Sequence, residues 1–588
     1  MTPLSVRFLK VLSIGAVAGL ALAACGSSTS TGTTLAADQT LKFPLLDDYA
    51  TLDPGIADAE TDQEIGQNIF NGLVKFDNNL NVVPDLATSV PVATDGGLTY
   101  TFTLRKDVTF SNGDKFTAKD VLYSWNRAAA MSGAYGTSYG GNLSPIVGYG
   151  DVSKNTVVGA ALETLLEKGD PKVTMPGLTA PDGPTGYTVV AKLSSPAGWW
   201  LSAIALTDST GMIVDQNAVK QDFDNWWSNP TTAVGTGPYK MTSRIPKQSE
   251  DFAAVSNWWG SPKPTVTKIH IDILQNAASA ITAYEQGTYD VYGYGGWSQA
   301  AGVADIQRIQ NTANEKAQLL LHPKVRTTWV TFNMVSDASR PAKGPFTLTG
   351  GQSAHDLRMA FDLAVDKTKL ASVVCGNILC SPATGGLITK GLTGYLGDNQ
   401  DPLAAFDPVK AKQLLKSADP DGTKTANLTY AYDPETPVFK DSAVFLQDQW
   451  QTNLGVHVNL ISVSHHAFIQ ARLKGSYVLS RDGWQADYNH PQDWFSGLWG
   501  TALGCPDSGC TSGYATPAYD ALLAKANAEP LASAMADYKA LSQMLIDDVA
   551  YIPLFYSVGA FLIKPYVQGA GSNNFVDYPW NNVQILQH

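Results

Sequence analysis

Residues 97–127 read GLTYTFTLRKDVTFSNGDKFTAKDVLYSWNR, and two elements are legible in them. Tyr100, Phe102 and Leu104 alternate with polar residues from Thr99 to Arg105. Successive side chains of a strand point to opposite faces, so this spacing predicts a half-buried strand. Thr117-Ala-Lys-Asp120 then has the spacing of a capping box, in which hydroxyl and carboxylate each satisfy a backbone N–H that the helix start leaves open. Behind it, Val121, Leu122, Trp125 and Ala129 fall on one face of a helix.

The alternation continues outward. Ser353 to Asp356 repeats the start signal before Leu357, Phe361, Ala364 and Val365. Asp407-Pro408 offers an N-cap and then a proline at the first helical position, where a missing N–H costs nothing, for a helix reaching Leu414 and Leu415. A further helix runs through Phe445, Leu446 and Trp450, and Val456-x-Val458-x-Leu460 predicts the strand after it. Strand and helix alternating in this way place the chain in the α/β class. The Gly-, Pro- and Ser-rich stretch Gly133–Gly186, with short helical signals near Ala160–Lys168, is expected to be an irregular insertion.

Composition narrows the function. The 588 residues include 14 Trp, are 16% charged and carry a formal net charge of −13. That aromatic content argues against disorder, and the acidic balance argues against a nucleic-acid partner or an anionic membrane surface. At the start, Arg7 and Lys10 precede an apolar run from Val11 to Ala24. The run is short for a membrane span, which needs about 20 residues, but suits a signal peptide over residues 1–24. Leu22-Ala23-Ala24-Cys25-Gly26 resembles a bacterial lipobox, which implies lipidation of Cys25 and anchoring of the mature chain to the outer face of a membrane. An ordinary secretory signal with an incidental cysteine is the other reading. Residues 25–40, rich in Ser, Thr, Gly and Ala, read as a flexible tether. Loss of the two basic residues with the leader takes the charge from −13 to −15.

Four cysteines remain, as the Cys-x4-Cys pairs Cys375/Cys380 and Cys505/Cys510. An even count outside the cytoplasm predicts disulfides. Three connectivities are open, and local pairing is expected. No histidines flank them at zinc-ligand spacing. A large extracytoplasmic α/β protein is typically a binder or a hydrolase, and composition does not choose between them.

The motifs do. They run Leu52-Asp53-Pro54, Asn71-Gly72-Leu73 and Pro84-Asp85-Leu86-Ala87, then the segment quoted above. Next come Gly235-Thr236-Gly237-Pro238-Tyr239, Asn257-Trp258-Trp259-Gly260, Ala283-Tyr284-Glu285-Gln286-Gly287 and Tyr289-Asp290-Val291. Ile552-Pro553-Leu554-Phe555 and Lys564-Pro565 close the series. In this order and spacing they resemble the extracytoplasmic solute-binding proteins of peptide-type ABC importers, family 5, from about Leu41 to the C-terminus. The resemblance implies a two-lobed periplasmic-binding-protein-like fold of class II with an extra subdomain. Lobe one would comprise residues 41–72, 230–324 and 549–588, with the subdomain at 73–229, and lobe two residues 325–548. It also implies a monomer that closes on its ligand and is then recognised by a membrane permease.

Arg472-x8-Arg481-x-Gly483-Trp484-x-Ala486-Asp487-Tyr488-Asn489-x-Pro491 is more similar to the oligopeptide-binding branch than to the dipeptide, nickel or sugar branches. The resemblance gives Asp487 the role of pairing with a ligand's α-ammonium group, a charge-assisted contact that reads no side chain. It sets Trp484 and Tyr488 in the pocket, Arg472 and Arg481 at the ligand carboxylate, and His465 in a segment that lines the cleft. Read from the residues alone, Asp487 is also a turn cap, Arg481 a solvated or salt-bridged residue and Trp484 core. The chain also departs from the pattern. Arg326 and Gln485 stand where enteric relatives have a cysteine pair, and Thr331, two before Asn333, replaces an acidic residue. The insertion Gly504–Gly513 follows the motif.

His465-His466 in a strand would point to opposite faces, against a metal site. The doublets Trp199-Trp200, Trp226-Trp227 and Trp258-Trp259 suit sugar stacking or core packing, the last favouring packing. HExxH and Walker patterns are missing, so no catalysis and no cofactor are expected. The expected function is oligopeptide capture for an ABC importer. The alternatives are an oligosaccharide or haem-like ligand in the same fold, or a secreted α/β hydrolase.

Overall fold

A computed structural model describes residues 34–137, 139–206, 209–274, 276–293, 302–335, 340–434, 436–505, 510–570 and 579–588. Cys25, the leader and most of the tether lie outside the described residues. The quoted segment folds as its pattern dictates. Thr117 N donates to Asp120 Oδ2 at 2.8 Å, and the helix Ala118–Met131 follows with Val121, Trp125 and Ala129 buried. The strand Thr99–Thr103 pairs antiparallel with Thr188–Lys192, and Phe102 meets Trp125 edge-on at 6.0 Å. On the same helix, buried Arg127 donates to both oxygens of buried Asp53, which also accepts from Trp226 Nε1 at 3.1 Å and Gly55 N at 2.9 Å.

Two larger sheets organise the rest. In one, Thr40–Leu45 lies parallel to Lys268–Ile273, followed by antiparallel Ser249–Ala254 and Tyr239–Ile245. The other is seven-stranded and centred on two long antiparallel neighbours, Leu319–Phe332 and Tyr551–Ile563. Leu319–Pro323 pairs with Leu562–Val558 beside a cluster of Ile281, Tyr284, Tyr292 and Ile306. Thr327–Thr331 pairs with Tyr556–Tyr551 against a different core, around Trp329, Phe361, Trp450 and Leu545. Between these stretches the register breaks: Lys324, Val325 and Arg326 stand opposite Ser557, which pairs instead with Cys380. The second core gathers side chains from Val325 to Phe555, and a first, separate core gathers those from Leu41 to Val291 with C-terminal residues such as Trp580. This is the expected two-lobed α/β architecture.

Asp407 caps Pro408–Ala418 by accepting from Lys410 N at 2.9 Å, as read. Two expectations shift. The helix read from Ser353 begins earlier, as Gly351–Leu363, because Gly351 at φ 61° lets it follow directly on the tight turn Leu348–Gly350. Ser353 Oγ donates to Ala418 O at 3.0 Å instead of capping. Val456 and Val458 are buried, yet the ladder covers Asn459–Ser462, since the partner strand starts only at Thr429. Gly133–Gly186 contains the helix Gly159–Glu167 among short turns. Disulfides join Cys375 to Cys380 and Cys505 to Cys510, the local pairing expected. Among the described residues no helix is long and apolar enough to cross a membrane.

Candidate functional site

The strand Leu479–Gln485 sits between Leu319–Phe332 and Thr429–Tyr432 and ends in a turn leading to the helix Pro491–Leu498. His490 caps that helix, its Nδ1 accepting from Gln492 N at 3.1 Å. Burial lowers the His490 pKa to about 3, so the ring is neutral and free to accept. The turn carries Asp487 and Tyr488, and the first helical turn carries buried Asp493.

Asp493 Oδ2 accepts from Trp484 Nε1 and from Asp487 N, each at 3.1 Å. Asp487 accepts from the Tyr139 hydroxyl at 3.3 Å. Burial pushes the Asp487 carboxyl up to about 7. Burial, and then the neighbouring Asp487 charge, push Asp493 well above the usual carboxylate range. Among the described residues no Lys or Arg offsets either charge. Uncharged donors alone hold the pair.

Asp487 and Tyr488 come from one lobe, and Tyr139 and Trp199, which they meet, from the other. Tyr488 stacks on Trp199 with centroids 6.5 Å apart and planes 12° from parallel. Asn489 Nδ2 donates to Leu80 O at 3.2 Å, and Gly198 N to Asn527 O at 2.9 Å. The predicted ammonium pocket therefore lies where the lobes meet. Trp199 is the member of the tryptophan doublets that reaches it, while Trp200, Trp226 and Trp258 are buried in packing.

Arg481 lies further back on the same strand, and Arg472 in the last turn of the helix His465–Leu473. Arg481 is paired with buried Asp433, with its guanidinium 4.2 Å from the Phe439 ring centre. Arg472 is paired with buried Asp482, which also accepts from the hydroxyls of Thr331 and Thr511. Thr331 thus holds a carboxylate where relatives would supply one. His465 Nδ1 is 3.7 Å from Asp433 Oδ2. His465 and His466 open the helix His465–Leu473 after Ser464, correcting the strand placement. Among the described residues no group of His, Cys, Asp and Glu could hold a metal ion.

Arg326 and Gln485, read as a paired departure, are direct cross-strand neighbours. Burial, then the charges of Arg481 and Arg472, lower Arg326 to about 9. The sequence reading missed Asp433, Asp482, Asp493 and Tyr139. Asp482 and Asp493 lie within or beside the recognised motif and were open to inspection as acids, but Asp433 stands well before it and Tyr139 is separated from Asp487 by most of the chain. Chemically, cation-seeking carboxylates sit in the turn and helix that follow the strand, and guanidinium groups on the strand and on the helix that precedes it.

Residues 81–503 match the family model described as bacterial extracellular solute-binding proteins, family 5 Middle. The chain is similar to the periplasmic murein peptide-binding protein MppA of Escherichia coli K12, 25% identical over 563 residues that cover 95% of each chain. It is similar also to the periplasmic oligopeptide-binding protein OppA of the same organism, 24% identical over 592 residues and 100% of each. In fold it resembles the solved unliganded open form of MppA, with a TM-score of 0.74 and 23% identity, covering 95% of this chain and 99% of that one.

Proposed function

Because the chain belongs to the bacterial extracellular solute-binding proteins of family 5, whose members bind rather than transform, we propose that it captures oligopeptides between its lobes and presents them to the permease of an ABC importer. The observation that carries this is the Asp487/Asp493 pair: a half-buried and a buried carboxylate at the lobe junction, held among the described residues by neutral donors. A buried charge of this kind needs a counter-charge, and a peptide's α-ammonium group supplies it. Trp484, fixed by its bond to Asp493, and Tyr488, stacked on Trp199, give apolar walls for the residues beside that ammonium. Arg481 and Arg472 are each neutralised by an aspartate, but both leave Nε buried without a hydrogen-bond partner among the described residues. They face the ligand's carboxylate end as a polarised group rather than as bare cations, with His465 at the rim. In this reading Cys25 carries the lipid that ties a monomer to the membrane, and the lobes divide as the family pattern implies.

The test is a titration of the leaderless protein with tri- to pentapeptides, free and N-acetylated, beside mass spectrometry of whatever co-purifies. Free peptides should raise the melting temperature, and acetylated ones should do so far less. Retained glycans or tetrapyrroles, with no shift on adding peptide, would overturn the proposal.

A further inference from the structure

Asp493 is not needed to complete the ammonium contact assigned to Asp487, yet it is built into it. One of its oxygens fixes both the indole of Trp484 and the backbone of Asp487, so it sets the position of a pocket wall and of the primary carboxylate together. Asp487 N donates to the Asp493 carboxylate, so the two carboxyl groups repel one another, and with no Lys or Arg beside them among the described residues they titrate as a pair. We propose that Asp493 is a positioning residue of this pocket, and that the Asp487/Asp493 pair holds one proton while empty and releases it when a cationic ligand end enters.

The step balances simply. Before binding, the pair carries one negative charge and one O–H bond. The ligand ammonium approaches, that O–H bond breaks, the proton leaves to solvent, and the ammonium faces two carboxylates. The proposal rests on the peptide reading and deepens it: capture becomes coupled to proton release.

The groups packed around the pair do not supply the proton. The hydroxyls of Tyr139 and Tyr488 are pushed by burial well above their usual range, and Tyr538, behind Tyr488, is raised too. His490 is held neutral, titrating only near 3. Gln63, Gln492 and Trp199 do not titrate. Asp62, on the helix that carries Gln63, is turned to the backbone N–H groups of Ala50 and Ala59. Burial raises Asp62 to about 6, but it bonds to neither carboxylate of the pair. Of the groups bonded to the pair, the two carboxylates themselves are what remains to change charge between about pH 4 and 8.

The experiment is calorimetric titration of the leaderless protein with trialanine at pH 6, in buffers of different ionisation enthalpy. At that pH the peptide amine, which titrates near about 8, stays protonated. The wild type should release close to one proton per peptide, and affinity should fall up to about tenfold per pH unit below the pair's upper titration. In Asp493→Asn the amide oxygen can still accept from Trp484 and Asp487, so binding persists but proton release should drop towards zero and the pH profile flatten. Binding by the wild type with no proton released overturns the proposal and leaves the peptide reading standing. Equal release by wild type and Asp493→Asn also overturns it. No binding at all overturns the peptide reading itself. The wild-type measurement decides without the variant, should Asp493→Asn fail to fold.

Discussion

Two carboxylate sites in this molecule, one buried and one half-buried where the lobes meet, are built alike and finished differently. Asp53, in the first lobe, takes a bidentate Arg127, an indole N–H from Trp226 and a backbone N–H. Asp487 and Asp493, where the lobes meet, take a tyrosine hydroxyl, an indole N–H and a backbone N–H, and no guanidinium. The neutral donors are much the same; the counter-charge is not. A carboxylate with its own arginine is a bolt in the scaffold. One left with neutral donors waits for a cation from outside.

The contrast can be broken by experiment. Asp53→Ala should strand Arg127 in the core and cost about 3–5 kcal/mol, read by denaturant unfolding. A variant as stable as its parent would show that the Asp53 pair is not scaffold. Asp487→Asn should act oppositely on fold and function. It should weaken free peptides by roughly 10- to 150-fold, the worth of a charged hydrogen bond, and acetylated ones little. It should also stabilise the empty protein at pH 8. The sign follows from a carboxyl lifted from 3.8 to about 7 in the fold. The folded state binds its proton more tightly, so stability from this group is full below 3.8 and is lost as pH rises towards 7. Equal losses for free and acetylated peptides would mark Asp487 as a structural turn residue. Replacing Cys375 and Cys380 by serine opens only a short loop and should cost about 2 kcal/mol, with peptide affinity unchanged. Trp199→Ala removes one ring of the stack across the lobes, worth about 0.5–1.5 kcal/mol, and should lower affinity by roughly 2- to 10-fold while leaving the melting of the empty protein nearly unmoved.

How much was legible follows from how local each interaction is. The capping box at Thr117 and Asp120 closes within one helical turn, so its spacing announces it. The Val456–Leu460 pattern reports burial correctly but not pairing, because pairing depends on where a partner at Thr429 begins. Asp487 read as either cap or ligand group; the cap is His490, two residues after Tyr488. Arg481 read as either ligand group or ion pair, and its partner Asp433 lies 48 residues away, a contact no spacing reveals. The role of Asp493 needed the helix Pro491–Leu498 to turn it back on Trp484.

The register break at Lys324–Arg326 has a mechanical consequence. Two strands cross between the lobes side by side, laced together above and below the crossing but not at it. Swinging the lobes about that gap changes a few backbone torsions and breaks no bond between these two strands. Twisting or sliding them would shear the laced stretches on both sides. The joint is therefore softer to swinging about the gap than to twisting or sliding.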